Sequence, residues 1–211
     1  MRVTAFIDGF NLYHALDDLG RPYLKWLNLR ALCQHFAPRP QFELDPIYYF
    51  TAYATWRPSA FRRHREYMTA LRAVGVTPIL GNFKYKNREC RTCGSTWQDH
   101  EEKETDVNIA LHLLLGAVKG EYDRALLISG DSDLAPAVRA VKEACPSKSI
   151  RIIAPVGRAH SMELLRAAGG KTNCRRMKLF HVKRSLLDDR VADSSGTVVA
   201  VRPPEYDPPQ R

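Results

Sequence analysis

Two carboxylates, Asp131 and Asp133, come directly after a continuous apolar run in the stretch "LLISGDSDL" (126–134). An apolar run of this length that ends at a glycine is typical of a strand buried in the middle of a sheet. Two like charges at the point where such a strand leaves the core repel each other unless protons or a cation compensate them. Because Mg²⁺ and Mn²⁺ take carboxylate oxygens as ligands, this pair indicates a divalent metal site.

Two further acids are expected at the same edge of the predicted sheet. Asp8 closes the first apolar stretch, "RVTAFI" (2–7), and Asp106 opens a predicted helix over 106–119. In a β-α-β arrangement, the carboxyl ends of the strands and the starts of the following helices share one edge of the sheet. If the first strand and the strand over 124–129 are neighbours across a reversal of strand order, all four acids meet in one crevice.

Such a cluster has a defined chemistry, although each acid also has a structural alternative. Carboxylates that hold one or two divalent ions position and activate water and stabilise the charge that grows on a phosphodiester. Asp8 is equally compatible with a turn before Gly9, and Asp133 with the N-cap of a helix. Asp106 competes with Thr105 for a similar capping role. Asp131 is harder to explain structurally, and the convergence of all four acids favours the metal site.

The elements that must position these acids alternate between strands and helices. Period-2, period-3.6 and short apolar patterns predict strands over 2–7, 47–53, 76–80, 124–129, 150–155 and 179–182, and helices over 58–74, 106–119, 133–144 and 161–168. This alternation predicts an α/β fold, a three-layer α/β/α sandwich around a central, mostly parallel sheet.

The length of 211 residues fits one domain, which we place at 1–188. Within it, the polar segment 83–103 is predicted to be an excursion from the sheet that carries two cysteines. Residues 189–211 are rich in Ser, Gly and Pro and are predicted to be disordered. No apolar run reaches the roughly 18 residues of a membrane span, and the start does not resemble a signal peptide, so we expect a cytoplasmic protein without a membrane partner.

The charge is strongly basic and unevenly distributed. The formal net charge is +9, and residues 57–91 hold nine Lys and Arg against two Glu. A basic surface attracts phosphates at long range, whereas many arginine-rich helix faces are only solvated. Tyr85 and Trp97 are candidates for stacking on bases. The candidates for binding a nucleic-acid backbone are Arg62, Arg63, Arg65, Lys84, Lys86 and Arg88.

The excursion contains a candidate zinc site. Cys90 and Cys93 form a Cys-x2-Cys-Gly sequence, and His100 follows seven residues later. Structural zinc takes four ligands, and this segment offers three clear ones. The alternative is a reduced loop whose thiols bind nothing.

Three segments together resemble the NYN family of the PIN-like nuclease superfamily, particularly its bacterial branch related to LabA. They are "FIDGFNLYHAL" (6–16), "KETDVNIALHLL" (103–114) and "LLISGDSDLAPAVRAVKE" (126–143). The resemblance spans roughly residues 1–185 and implies a PIN-like, Rossmann-like fold, an acidic metal site and metal-dependent endoribonuclease activity. On the family's motif positions, the residues implied to be catalytic are Asp8, Asn11, Asp106, Asp131 and Asp133.

We therefore expect an enzyme that hydrolyses single-stranded RNA with Mg²⁺ or Mn²⁺. The alternative is a non-catalytic RNA- or protein-binding regulatory module of the same fold, and a homodimer or a protein partner is compatible with either. An aspartyl phosphatase is disfavoured, because "DGFNL" after the first strand lacks the Asp-x-Asp-x-Thr signature. A dinucleotide-dependent dehydrogenase is disfavoured as well, because no G-x-G-x-x-G follows any predicted strand.

Overall fold

The computed structural model describes residues 1–209 as a central sheet with helices on both faces. In chain order, the helices and strands are β1 (Arg2–Asp8), α1 (Gly9–Asp17), α2 (Leu29–Gln34), β2 (Glu43–Thr51), α3 (Pro58–Ala73), β3 (Thr77–Leu80), β4 (Asn82–Glu89), β5 (Thr96–Lys103), α4 (Thr105–Val118), β6 (Arg124–Ile128), α5 (Ala135–Ala144), β7 (Ser149–Ala154), α6 (Met162–Ala167), β8 (Cys174–Arg176), α7 (Leu179–Lys183), β9 (Arg190–Ala192) and β10 (Val198–Val201).

Six parallel strands form the main sheet in the order β3-β2-β1-β6-β7-β8. The chain builds outward from β1 through β2 to β3, then returns to the other side of β1 with β6. Strands β1 and β6 are direct neighbours, with Phe6 opposite Leu127 and Ile7 opposite Ile128. The strand order therefore reverses between the two strands that carry the acids, as the hypothesis of a shared crevice required.

The helices divide between the two faces of the sheet and make three layers. On one face, Ile7 packs with Leu12 of α1, Leu32 of α2 and Leu71 of α3. On the other face, apolar residues from α4, α5 and α6 surround Phe6 in a second buried cluster that contains Ile109, Val138 and Leu164. Because both faces of the sheet are buried, β1 and β6 are continuous apolar runs and do not alternate between apolar and polar residues. The predicted three-layer α/β/α sandwich is therefore confirmed.

One prediction about the sheet was wrong, and one strand was not predicted. Residues 179–182, predicted as the last strand, form helix α7, because Leu179 and Val182 lie three residues apart and both pack on the core. An apolar run of four residues does not distinguish a strand from a helical turn. The last strand of the sheet is instead β8, three residues long and paired with β7.

The polar excursion is a regular antiparallel hairpin. Strands β4 and β5 pair without interruption from Asn82 opposite Lys103 to Glu89 opposite Thr96. Nearly every residue of β4 is exposed, so the hairpin projects into solvent. Cross-strand pairing, rather than a hydrophobic core, gives this segment its structure.

The predicted disordered tail is ordered through residue 209, and residues 210 and 211 lie outside the described part of the chain. Strands β9 and β10 form a second hairpin that packs on α3. Val191 and Ala200 are buried against Trp26 and Ala70, and Glu66 of α3 accepts a hydrogen bond from the Val201 backbone at 2.7 Å. The Ser/Gly-rich composition reflects the turn at 193–197, not disorder. Within residues 1–209, no helix is long and apolar enough to cross a bilayer.

Candidate metal centre

Asp8 is a buried carboxylate at the carboxyl end of β1, where α1 begins without a linker. Its side chain accepts hydrogen bonds from the Asn11 backbone N–H at 3.0 Å and from the Ser129 hydroxyl at 2.8 Å. The turn requires Gly9, because a Cβ there would lie 2.4 Å from the Phe50 carbonyl oxygen. Only 4% of Asp8 is exposed, and burial raises its pKa to about 6.

Asp131 is brought to Asp8 by a hydrogen-bond relay between the ends of β1 and β6. The Asp131 backbone N–H donates to Ser129 Oγ at 3.0 Å, and that hydroxyl donates to Asp8. In parallel, Asn11 Oδ1 accepts from the Gly130 N–H at 2.9 Å. Asn11 and Ser129 therefore fix the two strand ends to each other and orient both acids.

Asp106 completes the cluster from the first turn of α4. Asp8, Asp106 and Asp131 each offer a carboxylate oxygen, and these three atoms lie within 4.8 Å of one another. Burial, followed by the charge of Asp131, raises the pKa of Asp106 to about 6. No other group of three potential metal-binding side chains this close occurs among residues 1–209. Three converging carboxylates fit a hard divalent cation such as Mg²⁺ or Mn²⁺.

Asp133 lies beside the cluster but is not part of it. The helix predicted over 133–144 starts as a short 3₁₀ turn at Ser132–Leu134, and α5 follows. Asp131, not Asp133, caps that turn, since its Oδ1 accepts the Asp133 N–H at 2.9 Å. The Asp133 side chain is exposed, and its negative charge contributes to the raised pKa of Asp106.

The cluster opens into a cleft of about 370 Å³ that contains residues the sequence did not single out. Glu102 of β5 lines the cleft and accepts the Thr105 N–H at 3.0 Å, so it fixes the start of α4. Neither Thr105 nor Asp106 caps that helix; it begins after Glu104, which has a left-handed φ of 79°. The cleft is lined by Asp8, Phe10, Asn11, His14, Glu102, Thr105, Asp106, Gly130, Asp131, Arg158 and Ala159.

None of the six predicted backbone-binding cations lines this cleft. In the hairpin, Lys84 and Lys86 lie directly opposite Glu101 and Asp99, and Arg88 forms a 3.3 Å ion pair with Asp99. Both acids of this face are therefore already opposed by cations, although Lys103 adds a fourth positive charge and the face stays net positive. On α3, Arg62 and Arg65 are exposed. Arg63 instead forms an ion pair with Glu205 of the C-terminal segment, at 2.9 Å.

The other face of the hairpin carries a row of aromatic rings that starts at the cleft. Phe10 contacts Phe83 with ring centroids 5.6 Å apart, and Phe83 contacts Trp56 at 4.7 Å. Trp56 stacks on His100 at 3.7 Å. Tyr85 lies at the end of this aromatic row, 6.5 Å from His100, and 73% of it is exposed. Trp97, the other stacking candidate, pairs with Arg88 and lies on the opposite face.

The three predicted zinc ligands are not brought together. Cys90 and Cys93 lie in the turn at the hairpin tip, where hydrogen bonds from Ser95 lower the pKa of the Cys93 thiol to about 7. His100 lies four residues along β5 from Thr96, a separation of about 13 Å along the strand. His100 is held there by the stack on Trp56, so the prediction that it joins the two cysteines was wrong.

A profile of the family described as NYN domain matches residues 2–171. The chain is also similar to two curated proteins. It is 28% identical over 178 residues to the 6-hydroxy-3-succinoylpyridine 3-monooxygenase HspA of Pseudomonas putida, an alignment that covers 67% of this chain and 56% of that protein. It is 26% identical over 142 residues to the low amplitude and bright protein LabA of Synechococcus elongatus, covering 67% of this chain and 68% of LabA.

The chain thus spans little more than half the length of the monooxygenase. Among solved structures, a protein of unknown function from Vibrio parahaemolyticus is similar with a TM-score of 0.54 and 20% identity, covering 88% of this chain and 96% of that one. At this level of identity the likeness supports the fold, and the similarity to LabA supports the LabA-like branch.

Proposed function

The chain belongs to the NYN domain family, and from this premise we propose that it is a metal-dependent endoribonuclease that hydrolyses RNA phosphodiester bonds. The observation that carries the proposal is the group of three carboxylates, Asp8, Asp106 and Asp131, with oxygens within 4.8 Å of one another. Proteins avoid such a concentration of charge unless a cation offsets it, and the raised pKa values of Asp8 and Asp106 reflect that cost.

Asp8, Asp106 and Asp131 would hold a Mg²⁺ or Mn²⁺ ion. When bound, such an ion activates water and neutralises charge that develops on phosphorus-bound oxygens. The chain's own contribution is orientation: Ser129 and Asn11 fix Asp8 and the β6 end, and Glu102 fixes the start of α4. These contacts keep the three carboxylates pointed at one place before substrate arrives, which lowers the cost of reorganisation.

Two basic side chains that line the cleft are suited to the substrate. Arg158 lines the cleft and is paired with Asp18 at the surface, so a phosphate can replace that partner. His14 lies on α1, two turns behind Asp8, and is exposed at the rim. We assign Arg158 to phosphate binding and His14 to proton transfer to or from the leaving oxygen.

The aromatic row supports single-stranded rather than double-stranded RNA as the substrate. Unpaired bases stack on aromatic side chains, whereas paired bases in a duplex do not offer their faces. The row begins at Phe10 in the cleft and ends at the exposed Tyr85, so a strand that enters the cleft could place successive bases along it. The net charge of +9 supports attraction of any RNA strand.

A circular single-stranded RNA tests this proposal, because only an endonuclease opens it. The protein is incubated with the circle in Mn²⁺, in Mg²⁺ and in EDTA. We expect linear products with at least one of the metals and none in EDTA. Binding of the circle without cleavage in any divalent metal would favour the non-catalytic module instead.

Two variants distinguish a role of the acid cluster in cleavage from a general effect of removing a negative charge. Asp131→Asn removes one ligand while retaining shape, and we expect it to leave the circle intact. Asp188→Asn removes an exposed carboxylate that is outside the cleft, and we expect cleavage at the wild-type rate. Equal activity of both variants would exclude the cluster as the reactive site.

A further inference from the structure

The tip of the β4–β5 hairpin is a compact turn that holds two thiols at the surface. The Cys90 N–H donates to the Ser95 carbonyl at 2.8 Å, and the Gly94 N–H donates to the Cys90 carbonyl at 2.8 Å. Gly94 takes a left-handed φ of +69°, which a glycine adopts without strain. The turn carries both Cys90 and Cys93, and Cys93 is exposed, with its Sγ 3.1 Å from Ser95 Oγ. A Cys-x2-Cys-Gly turn of this form presents two sulfur ligands to one metal ion.

These two thiols are only half of a structural zinc site. Structural zinc is almost always four-coordinate and tetrahedral. In the described chain, no third histidine, cysteine or carboxylate joins the pair within 4.8 Å. The remaining cysteines lie away from this tip and cannot supply a ligand there. Cys33 and Cys174 are buried in the main body of the protein, and Cys145 follows α5. A four-coordinate zinc at this tip would therefore take its other two ligands from outside the described chain.

We propose that Cys90 and Cys93 of two copies of this chain together form one tetrahedral Cys₄ zinc site, which joins the two copies tip to tip. A two-fold axis through the zinc would give each copy the same environment, as in a closed homodimer. The hairpin projects from the main sheet with β4 exposed along its length, so two tips can meet without a clash between the bodies.

The charge at the tip suits this arrangement. One Zn²⁺ with four thiolates carries a net charge of −2. Arg91 lies between the two cysteines in the turn and is exposed, so two copies bring two positive charges to the same place. The partner is therefore a second copy of this chain with the same turn, and the site is independent of the acid cluster.

The test measures metal content and molar mass of the full chain under reducing conditions. With zinc, we expect about 0.5 zinc per chain and twice the chain mass of 24.0 kDa by light scattering. Removal of zinc with a chelator should return the mass to that of one chain. Cobalt(II) in place of zinc should give the intense absorption of tetrahedral thiolate coordination.

Matched variants distinguish this site from other sources of association. The double variant Cys90→Ser with Cys93→Ser, tested in the Asp131→Asn background so that the acid cluster lacks a ligand, should bind no zinc and remain a monomer. Without zinc, its thermal midpoint should equal that of Asp131→Asn alone, because the tip is exposed. Cys145→Ser should dimerise with zinc as the wild type does. One zinc per chain in a monomer, no zinc bound at all, or a dimer that persists without zinc or without the two cysteines would each overturn the proposal.

Discussion

At the scale of single residues, the acid cluster combines fixed geometry with unfavourable electrostatics. Asp8 is held by two hydrogen bonds and is buried, whereas Asp106 has no side-chain partner among the described residues. Both have a pKa of about 6 instead of 3.8. A carboxyl whose folded-state pKa is raised favours the protonated form, so its ionisation lowers stability as pH rises from about 4 through about 6.

This cost should be visible in the metal-free protein. We expect Asp106→Asn to raise the thermal midpoint in EDTA at pH 7.5 by about 2 °C. The increase is small because Asp106 is partly exposed, and solvent screens its charge. At pH 4.5, where Asp106 is largely protonated in the fold, the difference should shrink, and it should vanish below about pH 3.8. Adding Mn²⁺ at pH 7.5 should stabilise the wild type and not the variant. Asp188→Asn is the control, and an equal gain from it would indicate a general effect of net charge.

The hydroxyl of Ser129 connects the two halves of the cluster. It donates to Asp8 and accepts from the Asp131 N–H, so Ser129→Ala removes both contacts at once. We expect a 10- to 100-fold loss in cleavage rate or in Mn²⁺ affinity, the usual effect of removing a group that orients a metal ligand. Ser132→Ala is the matched control, because the Ser132 side chain is exposed. Activity of Ser129→Ala at the wild-type level would show that the relay does not position the acids.

At the scale of elements, the sequence predicted those parts of the site that follow from strand ends. Asp8 and Asp131 come together because β1 and β6 are buried apolar runs whose carboxyl ends share an edge, and Asp106 joins them because α4 begins at that edge. Glu102 was missed because its place depends on the register of a hairpin, in which Phe83 pairs with Glu102, and a polar segment gives no periodic signal of register. The prediction that His100 binds zinc failed for the same reason, because the hairpin register places His100 opposite Tyr85 and away from the cysteines.

The β4–β5 hairpin provides the sharpest test of base stacking. We expect Tyr85→Ala to weaken binding of single-stranded RNA at least fivefold, in line with the ~1–3 kcal/mol typical of stacking one base on an aromatic side chain. Trp97→Ala, on the opposite face of the same hairpin, should bind as the wild type does. Both variants are made in the Asp131→Asn background, so that the RNA is not cleaved while its binding is measured. A larger loss from Trp97→Ala would place the RNA on the other face.

The C-terminal hairpin is a structural element rather than a tail. Val191 is buried on α3, whereas Val198 of the same hairpin is 40% exposed. We expect Val191→Ala to reduce the free energy of unfolding by about 2 kcal/mol and Val198→Ala by less than about 0.5 kcal/mol. Denaturant unfolding measures both. If the two variants unfold alike, the hairpin is not packed on the body in solution.

At the scale of the whole molecule, the reversal of strand order between β1 and β6 places the crevice at the centre of the sheet. Alternating strands and helices were enough to predict this architecture, because each buried strand is a short apolar run with a helix on either side. The C-terminal segment was not predictable in the same way. Its order depends on long-range contacts, such as Glu66 with the Val201 backbone, that join residues 135 positions apart.

The most direct measurement is the single-turnover rate of RNA cleavage over a titration with Mn²⁺, for the wild type and for Asp131→Asn side by side. The proposed site predicts a rate that saturates with Mn²⁺ for the wild type. For the variant it predicts a loss on the order of 1,000-fold, about 4 kcal/mol of transition-state stabilisation, that saturating Mn²⁺ does not restore. Cleavage by Asp131→Asn at the wild-type rate, or wild-type cleavage that needs no divalent ion, would contradict the central claim that the acid cluster is a catalytic metal site.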